Sequence, residues 1–369
     1  MTQHGRLLAY DGLGQPLRFV ERPMPQPESG AAVVKISLGN VCGSDLHVWR
    51  GELDLKKIGR ALPRNLGHEG CGTIAALGAG VTTDAAGAPL AIGDRVVFRY
   101  SFSCGSCRGC LSGNTRFCPH QSRHLATSCD EWPFYKGTFG DYTYLFPGHV
   151  MFKVPDALSD EMVAGINCAF STVMCGLDVA SVGLGDTVVI QGAGGLGLYA
   201  AAIARERGAA RVIAIDGVAE RLDLASGFGA DVLLDLRELS APDQRVERVR
   251  ALTDGWGADV VVDVAGFPGV IEEGLQMVGN GGRYVEIGTI APDMSLTLVP
   301  TTLNQRNVQM LGIGYYEPRH LKAALDMMSR TRASYPFDRV VSQVFPLEQA
   351  QHVFDQQAAG RITRAALKP

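Results

Sequence analysis

Between residues 186 and 314 the sequence alternates in a way that few folds satisfy. Short and almost wholly apolar runs recur: "DTVVIQG" (186–192), "RVIAID" (211–216), "DVLLD" (231–235), "ADVVVDVAG" (258–266), "RYVEIG" (283–288) and "VQMLGIG" (308–314). Between them lie stretches that read as helices, such as "GLGLYAAAIARERGA" (195–209), "AERLDLASGFGA" (219–230) and residues 243–253. Strands that are apolar on both faces must be covered on both faces, so the intervening helices lie above and below a parallel sheet. Right-handed crossovers then predict a doubly wound α/β fold.

Residues 30–165 have a different texture. Runs such as "AAVVKISLG", "GCGTIAALG", "GDRVVF" and "GDYTYLFP" are cut by Gly and Pro, the pattern of a β-rich domain with long loops. A chain of 369 residues suits two domains. The C-terminal stretch 315–369, with its helical "PRHLKAALDMMSR", is expected to return to the first of them. The predicted division is 1–166 with 312–369 for the β-rich domain and 167–311 for the doubly wound one.

Composition narrows the function. A net charge of −4 offers no basic face for nucleic acid. The N-terminal sequence has no apolar h-region, and the most apolar stretch, 187–204, is broken by Gln191 and a run of glycines. A membrane span needs about 20 mainly apolar residues, so no membrane association is expected, and the expected compartment is the cytoplasm.

"GAGGLG" (192–197) follows the first strand of the alternating region and opens a helix. Gly192, Gly194 and Gly197 match G-x-G-x-x-G, with Gly195 and Leu196 at the helix start, and Asp216 ends the next strand. That context fits a dinucleotide: a tight turn, close approach to the pyrophosphate, and a helix N-terminus facing it. A carboxylate at Asp216 would accept from a ribose diol and repel a 2′-phosphate, which favours NAD over NADP. The plainer readings are a glycine turn that binds nothing and a strand-end cap.

Four of the nine cysteines fall in "CGSCRGCLSGNTRFC" (104–118). Cys104, Cys107, Cys110 and Cys118 are spaced C-x-x-C-x-x-C-x7-C within a lobe spanning 101–120. Disulfides are rare in a reducing compartment, so such thiols point to a metal. Four thiolates suit tetrahedral zinc. An iron–sulfur cluster also takes four cysteines, but the x7 gap departs from common spacings; unliganded thiols are the third reading. Four protein ligands would leave no open position for a substrate.

A second set is dispersed: Cys42 in "VCGSDLH", His68 and Glu69 in "GHEG", and Cys168 in "INCAFSTV". Each fragment alone reads as a small core cysteine or a loop histidine. In this order, with the cysteine lobe and "GAGGLG", the chain resembles over nearly its whole length the zinc-dependent alcohol dehydrogenases of the medium-chain dehydrogenase/reductase superfamily. The resemblance implies a GroES-like β-rich catalytic domain, a Rossmann coenzyme domain and an active site in the cleft between them. It implies a catalytic zinc on Cys42, His68 and Cys168 with the fourth position open, and Glu69 beside it as an occasional ligand. Asp45 would accept from the His68 ring, and the lobe cysteines would hold a second, structural zinc. Ser44 would take the alcohol proton and His47 pass it to solvent, while hydride goes to NAD. Thr172, Arg221, Gly266, Ile287 and Gly288 would flank the coenzyme and Arg364 would contact a phosphate. A homo-oligomer, dimer or tetramer, would form through the edge strand 308–314.

The substrate is a small alcohol or its carbonyl. Cys168 stands where polyol dehydrogenases of the superfamily place glutamate, which argues against a sorbitol-type enzyme. Ser44 in place of threonine leaves room beside the metal, and the segment 119–150 offers Trp132, Phe134 and Tyr135 to cover the substrate entrance, with Tyr100 as a pocket wall. These features favour a secondary or bulky alcohol. One alternative is a dehydrogenase dedicated to a specialised carbonyl, such as a terpenoid ketone or functionalised aldehyde. Another is an idle nucleotide-binding protein, against which the intact Cys42, His68, Cys168 and Ser44 set speaks. Cys71 and Cys175 are expected in the core, Cys129 exposed, and His120, His124 and His149 in solvated loops.

Overall fold

A computed structural model describes residues 3–289 and 294–369 of the chain. The chain forms two compact units: Met1–Cys168 with Glu317–Arg332 and Phe337–Pro369, and Ala169–Tyr316 with Ala333–Pro336. The first cut falls two residues beyond the expected 166/167, which keeps Cys168 in the same unit as Cys42 and His68.

In the first unit the strand Ala32–Asn40 pairs antiparallel with Glu69–Leu77, Tyr142–Leu145 and Ala365–Lys368. The sheet extends through Arg95–Phe98 and Met151–Lys153 on one side and Gln343–Pro346 on the other. Sequence patterning located four strands of residues 30–165 but not Arg64–Asn65, Met151–Lys153, the N-terminal hairpin His4–Tyr10 with Arg18–Pro23, or the two C-terminal strands. The C-terminal return has a packing cause: Ala365, Leu367, Val353 and Phe354 share one apolar cluster with Val41, Leu46, Val48 and Phe139. That cluster fixes the base of the short helix Gly43–Trp49, which follows directly on Cys42.

The second unit is built on six parallel strands. Their spatial order is Val232–Asp235, Arg211–Asp216, Thr187–Gln191, Ala258–Asp263, Val278–Glu286, Gln309–Gly312. In chain order this is 3-2-1-4-5-6, the doubly wound Rossmann arrangement, whose ligand site lies outside the strand carboxyl ends where the order reverses. The expected α/β fold is present. Val278–Glu286 begins earlier than predicted, pairing Ala258 with Val278 before the register shifts to Val260 opposite Arg283.

The helical segment Asp160–Val179 is long and apolar enough to cross a membrane by length and composition, but 78% of its apolar window is buried inside the fold. It is a core helix, and it widens into a π turn at Ile166–Phe170 around Cys168. Such turns add a residue to the helical repeat and re-aim the side chains they carry.

Several expectations for residues 119–150 are corrected. Cys129 is not exposed: it packs at 1% exposure with Leu7, Val20 and Tyr142. Tyr135 cannot cover a substrate entrance, because it is fully buried and its hydroxyl donates to the carbonyls of Gly5 (2.6 Å) and Arg22 (2.8 Å). Trp132 rests edge-on against Tyr144. His124 and His149 are half-buried rather than solvated. Burial pulls the His149 pKa down to about 4, and burial with the nearby His149 holds His124 well below the ordinary histidine range. Only His120 is exposed as expected.

Helix Pro268–Met277, which follows the Gly266 turn, is held by a buried ion pair. Arg245 Nε and Nη2 each donate at 2.7 Å to the Glu273 carboxylate, both side chains being under 10% exposed. Removing one partner strands a buried charge, so Arg245→Met is expected to cost about 3–5 kcal/mol. The double variant Arg245→Met/Glu273→Leu should recover most of that loss in a denaturant titration. A single variant as stable as the parent would show that the pair carries no such weight.

Candidate metal centres and coenzyme site

The ends of two neighbouring strands supply most of the dispersed set. Asn40 lies opposite Glu69 in the ladder; Cys42 follows the first strand and His68 precedes the second. The π turn brings Cys168 to the same place. One donor atom each from Cys42, His68, Glu69 and Cys168 falls within 4.8 Å of the others. Ser44 Oγ lies 3.4 Å from His68 Nε2, and Asp45 Oδ1 lies 3.4 Å from His68 Nδ1. Asp45 also accepts from the Cys42 N–H (3.0 Å), so one carboxylate orients two members of the cluster.

The donor set fits a soft divalent metal. A hydrogen bond from the Cys168 thiol, opposed by burial, brings the Cys42 thiol well below its usual value, while Cys168 rises as the donor. Burial lowers the His68 pKa, but Asp45 and the Cys42 thiolate outweigh it and hold the imidazole well above its ordinary value. Glu69 Oε1 is buried with no hydrogen-bond partner. Glu69 Oε2 pairs with Arg364, which is 5% exposed. Arg364 thus has a carboxylate partner beside the cluster where a phosphate contact was expected.

Asn167 ties the cluster together. Its Nδ2 donates to the carbonyls of His68 (3.1 Å) and Phe98 (3.0 Å), and its Oδ1 accepts from the Gly70 N–H (3.3 Å). Sequence reading passed over it, although an asparagine inside the apolar run "AGINCAF" was a signal. Glu52 was also missed: its carboxylate bonds to His47 Nδ1. Tyr100 packs its ring edge-on to His68, centroids 5.6 Å apart.

The lobe gathers Cys104, Cys107, Cys110 and Cys118, again with donor atoms within 4.8 Å of one another. Cys107 Sγ and Cys110 Sγ are 3.5 Å apart. Thiolates on a tetrahedron with ~2.3 Å arms stand about 3.8 Å apart, so the spacing suits zinc. Backbone N–H groups of Cys104 (3.3 Å) and His120 (3.4 Å) donate to Cys118 Sγ. Glu317, buried on the C-terminal part of this unit, accepts from the N–H groups of Thr115 (3.1 Å) and Arg116 (2.8 Å) and so anchors the lobe.

In the second unit the glycine loop has the geometry its motif implied. A side chain at Gly197 would meet the Gly192 carbonyl at 1.9 Å, so the helix and the turn touch there. Gly194 faces open space and caps helix Gly195–Glu206 without a side-chain hydrogen bond, leaving its first N–H groups for an anion. Asp216 accepts from the N–H groups of Ala193 (2.7 Å) and Val218 (2.9 Å), and Arg221 lies 3.8 Å from it. Asp216 therefore fastens the loop, the cap that was its plainer reading, and each oxygen keeps a second lone pair. Thr172 Oγ1 is buried without a partner. Gly266 and Gly288 cross at the ends of their strands.

Comparison with known proteins agrees with both halves. Residues 28–156 match the alcohol dehydrogenase GroES-like domain and residues 195–330 the zinc-binding dehydrogenase family. The chain is 34% identical over 354 residues to 5-exo-hydroxycamphor dehydrogenase of Pseudomonas putida, covering 94% of each protein. It is 31% identical over 356 residues to an alcohol dehydrogenase of Geobacillus stearothermophilus, covering 96% of each. The structure of an alcohol dehydrogenase from Thermotoga maritima superposes with a TM-score of 0.91 at 28% identity, covering 100% of both chains. The chain belongs to the zinc-dependent alcohol dehydrogenase family of the medium-chain dehydrogenase/reductase superfamily. It is an alcohol oxidoreductase whose cofactors are zinc and a nicotinamide dinucleotide.

Asn167→Ala should strand three buried backbone groups at about 1–3 kcal/mol each and loosen the dispersed donor set. Thermal denaturation and metal analysis of the purified variant check this. A variant with parental stability and metal content would show that Asn167 is not the tie.

Proposed function

We propose that the enzyme oxidises a secondary or bulky alcohol to its ketone or aldehyde with NAD, at a zinc held by Cys42, His68 and Cys168. The observation that carries this reading is the convergence of those three donors beside a side-chain hydroxyl, Ser44, 3.4 Å from His68 Nε2. A zinc held there by Cys42, His68 and Cys168 would supply Lewis acidity toward an alcohol oxygen, and a nicotinamide bound at the glycine loop would serve as hydride acceptor.

The chain's own groups handle the rest. Ser44 Oγ accepts the alcohol proton and passes its own toward His47. With Nδ1 of His47 engaged by Glu52, Nε2 is the ring nitrogen left to receive it. Asp45 fixes the His68 tautomer. Arg364 neutralises one oxygen of Glu69 and holds that carboxylate back from permanent ligation. Asp216 and the N-terminus of Gly195–Glu206 receive the adenosine ribose and the pyrophosphate, with Leu196, Thr172, Arg221 and Ile287 along the dinucleotide. Cys104, Cys107, Cys110 and Cys118 hold the second, structural zinc.

The Pseudomonas relative, named for a hydroxyl on the camphor skeleton, supports a bulky ring alcohol, and with it the terpenoid alternative. The strand Gln309–Gly312 ends its sheet with Met310 37% exposed, which suits pairing with a second copy. All nine cysteines are free thiols, in keeping with the cytoplasm.

Metal analysis should find two zinc ions per chain, one for each donor cluster. Cys168→Ala should lose one of them and NAD-linked oxidation while still binding NADH; Cys104→Ala should lose the other and show first as a fall in thermal stability. Full activity in metal-free Cys168→Ala protein would overturn the mechanism. Screening primary, secondary and cyclic alcohols with both coenzymes should give the highest kcat/KM for a cyclic secondary alcohol with NAD. A preference for NADP would overturn the role given to Asp216.

A further inference from the structure

Two carboxyl groups end adjacent strands in the second unit's sheet. Asp263 ends Ala258–Asp263, Glu286 ends Val278–Glu286, and the two are directly opposite in the parallel ladder. Registered residues of parallel neighbours point to the same face with strands about 4.8 Å apart. Asp263 is fully buried.

One oxygen of each carboxyl holds a loop. Asp263 Oδ1 accepts from the N–H groups of Ala265 (2.8 Å) and Gly266 (3.3 Å), and Glu286 Oε1 accepts from Thr289 (2.8 Å). The Asp263 carbonyl takes the N–H groups of Ile287 and Gly288, each at 3.1 Å. The remaining oxygens, Asp263 Oδ2 and Glu286 Oε2, are buried with no partner in full hydrogen-bond geometry, and the Tyr284 hydroxyl lies against Asp263. Two loops are thereby pinned, 264–266 and 287–289, and they touch backbone to backbone. Gly266 has φ +80°, and a side chain there would lie 2.6 Å from the Gly288 carbonyl.

Among the described residues, the surroundings offer these carboxyls no cation. From the neighbouring strand comes Gln191, in register with Asp263, whose Oε1 accepts from Tyr284 (3.3 Å) and whose Nε2 donates to the Val270 carbonyl (3.0 Å). From Val278–Glu286 come Tyr284 and Glu286 themselves, and on helix Pro268–Met277 Glu273 is already matched by Arg245. Side-by-side carboxylates in such a place cannot both be ionised without large cost. A single proton between them turns repulsion into a hydrogen bond.

We propose that Asp263 and Glu286 are positioning residues of the coenzyme site, a side-by-side pair, one member fully and the other half buried, that shares one proton and so sets the two loops flanking the bound coenzyme. The inference rests on the reading of Gly266, Ile287 and Gly288 as coenzyme neighbours. Burial first, and the Glu286 charge second, raise Asp263 to about 7, so the proton is exchanged near neutrality. Loss of that proton drives the strand ends apart, disturbs the loop pair and weakens NADH binding.

The linkage has a definite sign. The folded-state value lies above the ordinary aspartate value of about 3.9, so the folded chain binds this proton more tightly than the unfolded one. The pair's contribution to stability is whole below about pH 4 and is lost as pH rises through 7. Asp263→Asn keeps the acceptor for Ala265 and Gly266 and replaces the shared proton by a permanent donor; Glu286→Gln does the same from the other side. The test compares zinc-loaded parent and both variants by NADH fluorescence titration and, without coenzyme, by denaturation, each at pH 6 to 9. The parent's Kd for NADH should rise above pH 7 by up to tenfold per pH unit, the limit for one proton, while either variant stays flat and loses less stability over the same range. Parent and variants with parallel profiles in both measurements would overturn the proposal. A difference in stability alone, with parallel NADH profiles, would overturn the link to the coenzyme. Should Asp216→Ala leave NADH binding untouched, the coenzyme-site reading beneath the proposal would fall instead.

Discussion

Asn167 ties together the dispersed donor cluster of the first unit through the backbone of His68, Phe98 and Gly70. A metal site with three protein ligands and an open position must be held by the polypeptide, because the metal closes no tetrahedron of its own. Here the donors come from a strand end, a strand start and a helix turn far apart in sequence, and Asn167 bonds the third to the second at the backbone of His68 and Gly70. The π turn puts Asn167 and Cys168 in successive positions and so aims both into the cluster. Around this sit Asp45, orienting His68 and Cys42, and Arg364, balancing Glu69. A divalent metal with two thiolates and a neutral imidazole is electrically neutral, and the Glu69–Arg364 pair adds no net charge beside it.

The lobe solves a different problem. Its four thiols lie within fifteen positions and close a site by themselves, but the intervening loop has little apolar content with which to pack. Exposed Leu111 and Phe117 show that the lobe contributes almost nothing to a core. A metal on the four thiols would hold it from within, and Glu317 holds it from without, its carboxylate satisfying successive backbone N–H groups of the turn before Cys118. In the function proposed above, the two clusters share cysteine chemistry and divide its uses: a closed set gives local order, an open set leaves a position for reaction.

What could be read in the sequence was what is local or periodic. The glycine loop, the six parallel strands and both donor sets follow from spacing, from apolar runs and from resemblance, because strand and helix periods and ligand intervals are written in neighbouring letters. What escaped reading is pairwise and long-range. Tyr135 looked like an entrance aromatic until the carbonyls of Gly5 and Arg22 claimed its hydroxyl. Cys129 looked exposed because its neighbours in sequence are polar, while its neighbours in space are Leu7, Val20 and Tyr142. Glu52 and Asn167 carry no motif, and only the fold shows that one meets His47 and the other His68.

Asp263 and Glu286 belong to this last kind, and they show why a local anomaly is worth following into the structure. Each is one acidic letter at the end of a strand, where solvent would ordinarily receive it. The parallel register sets them side by side, and the crossing of Gly266 over Gly288 closes the strand ends above them. Neither carboxyl can then be replaced by an apolar residue without stranding the N–H groups of Ala265, Gly266 or Thr289. Nor can both be charged without strong repulsion in a site where the described residues place no cation. The arrangement that satisfies both demands is one proton for two carboxyls, and it makes the shape of the loops above the sheet depend on keeping that proton.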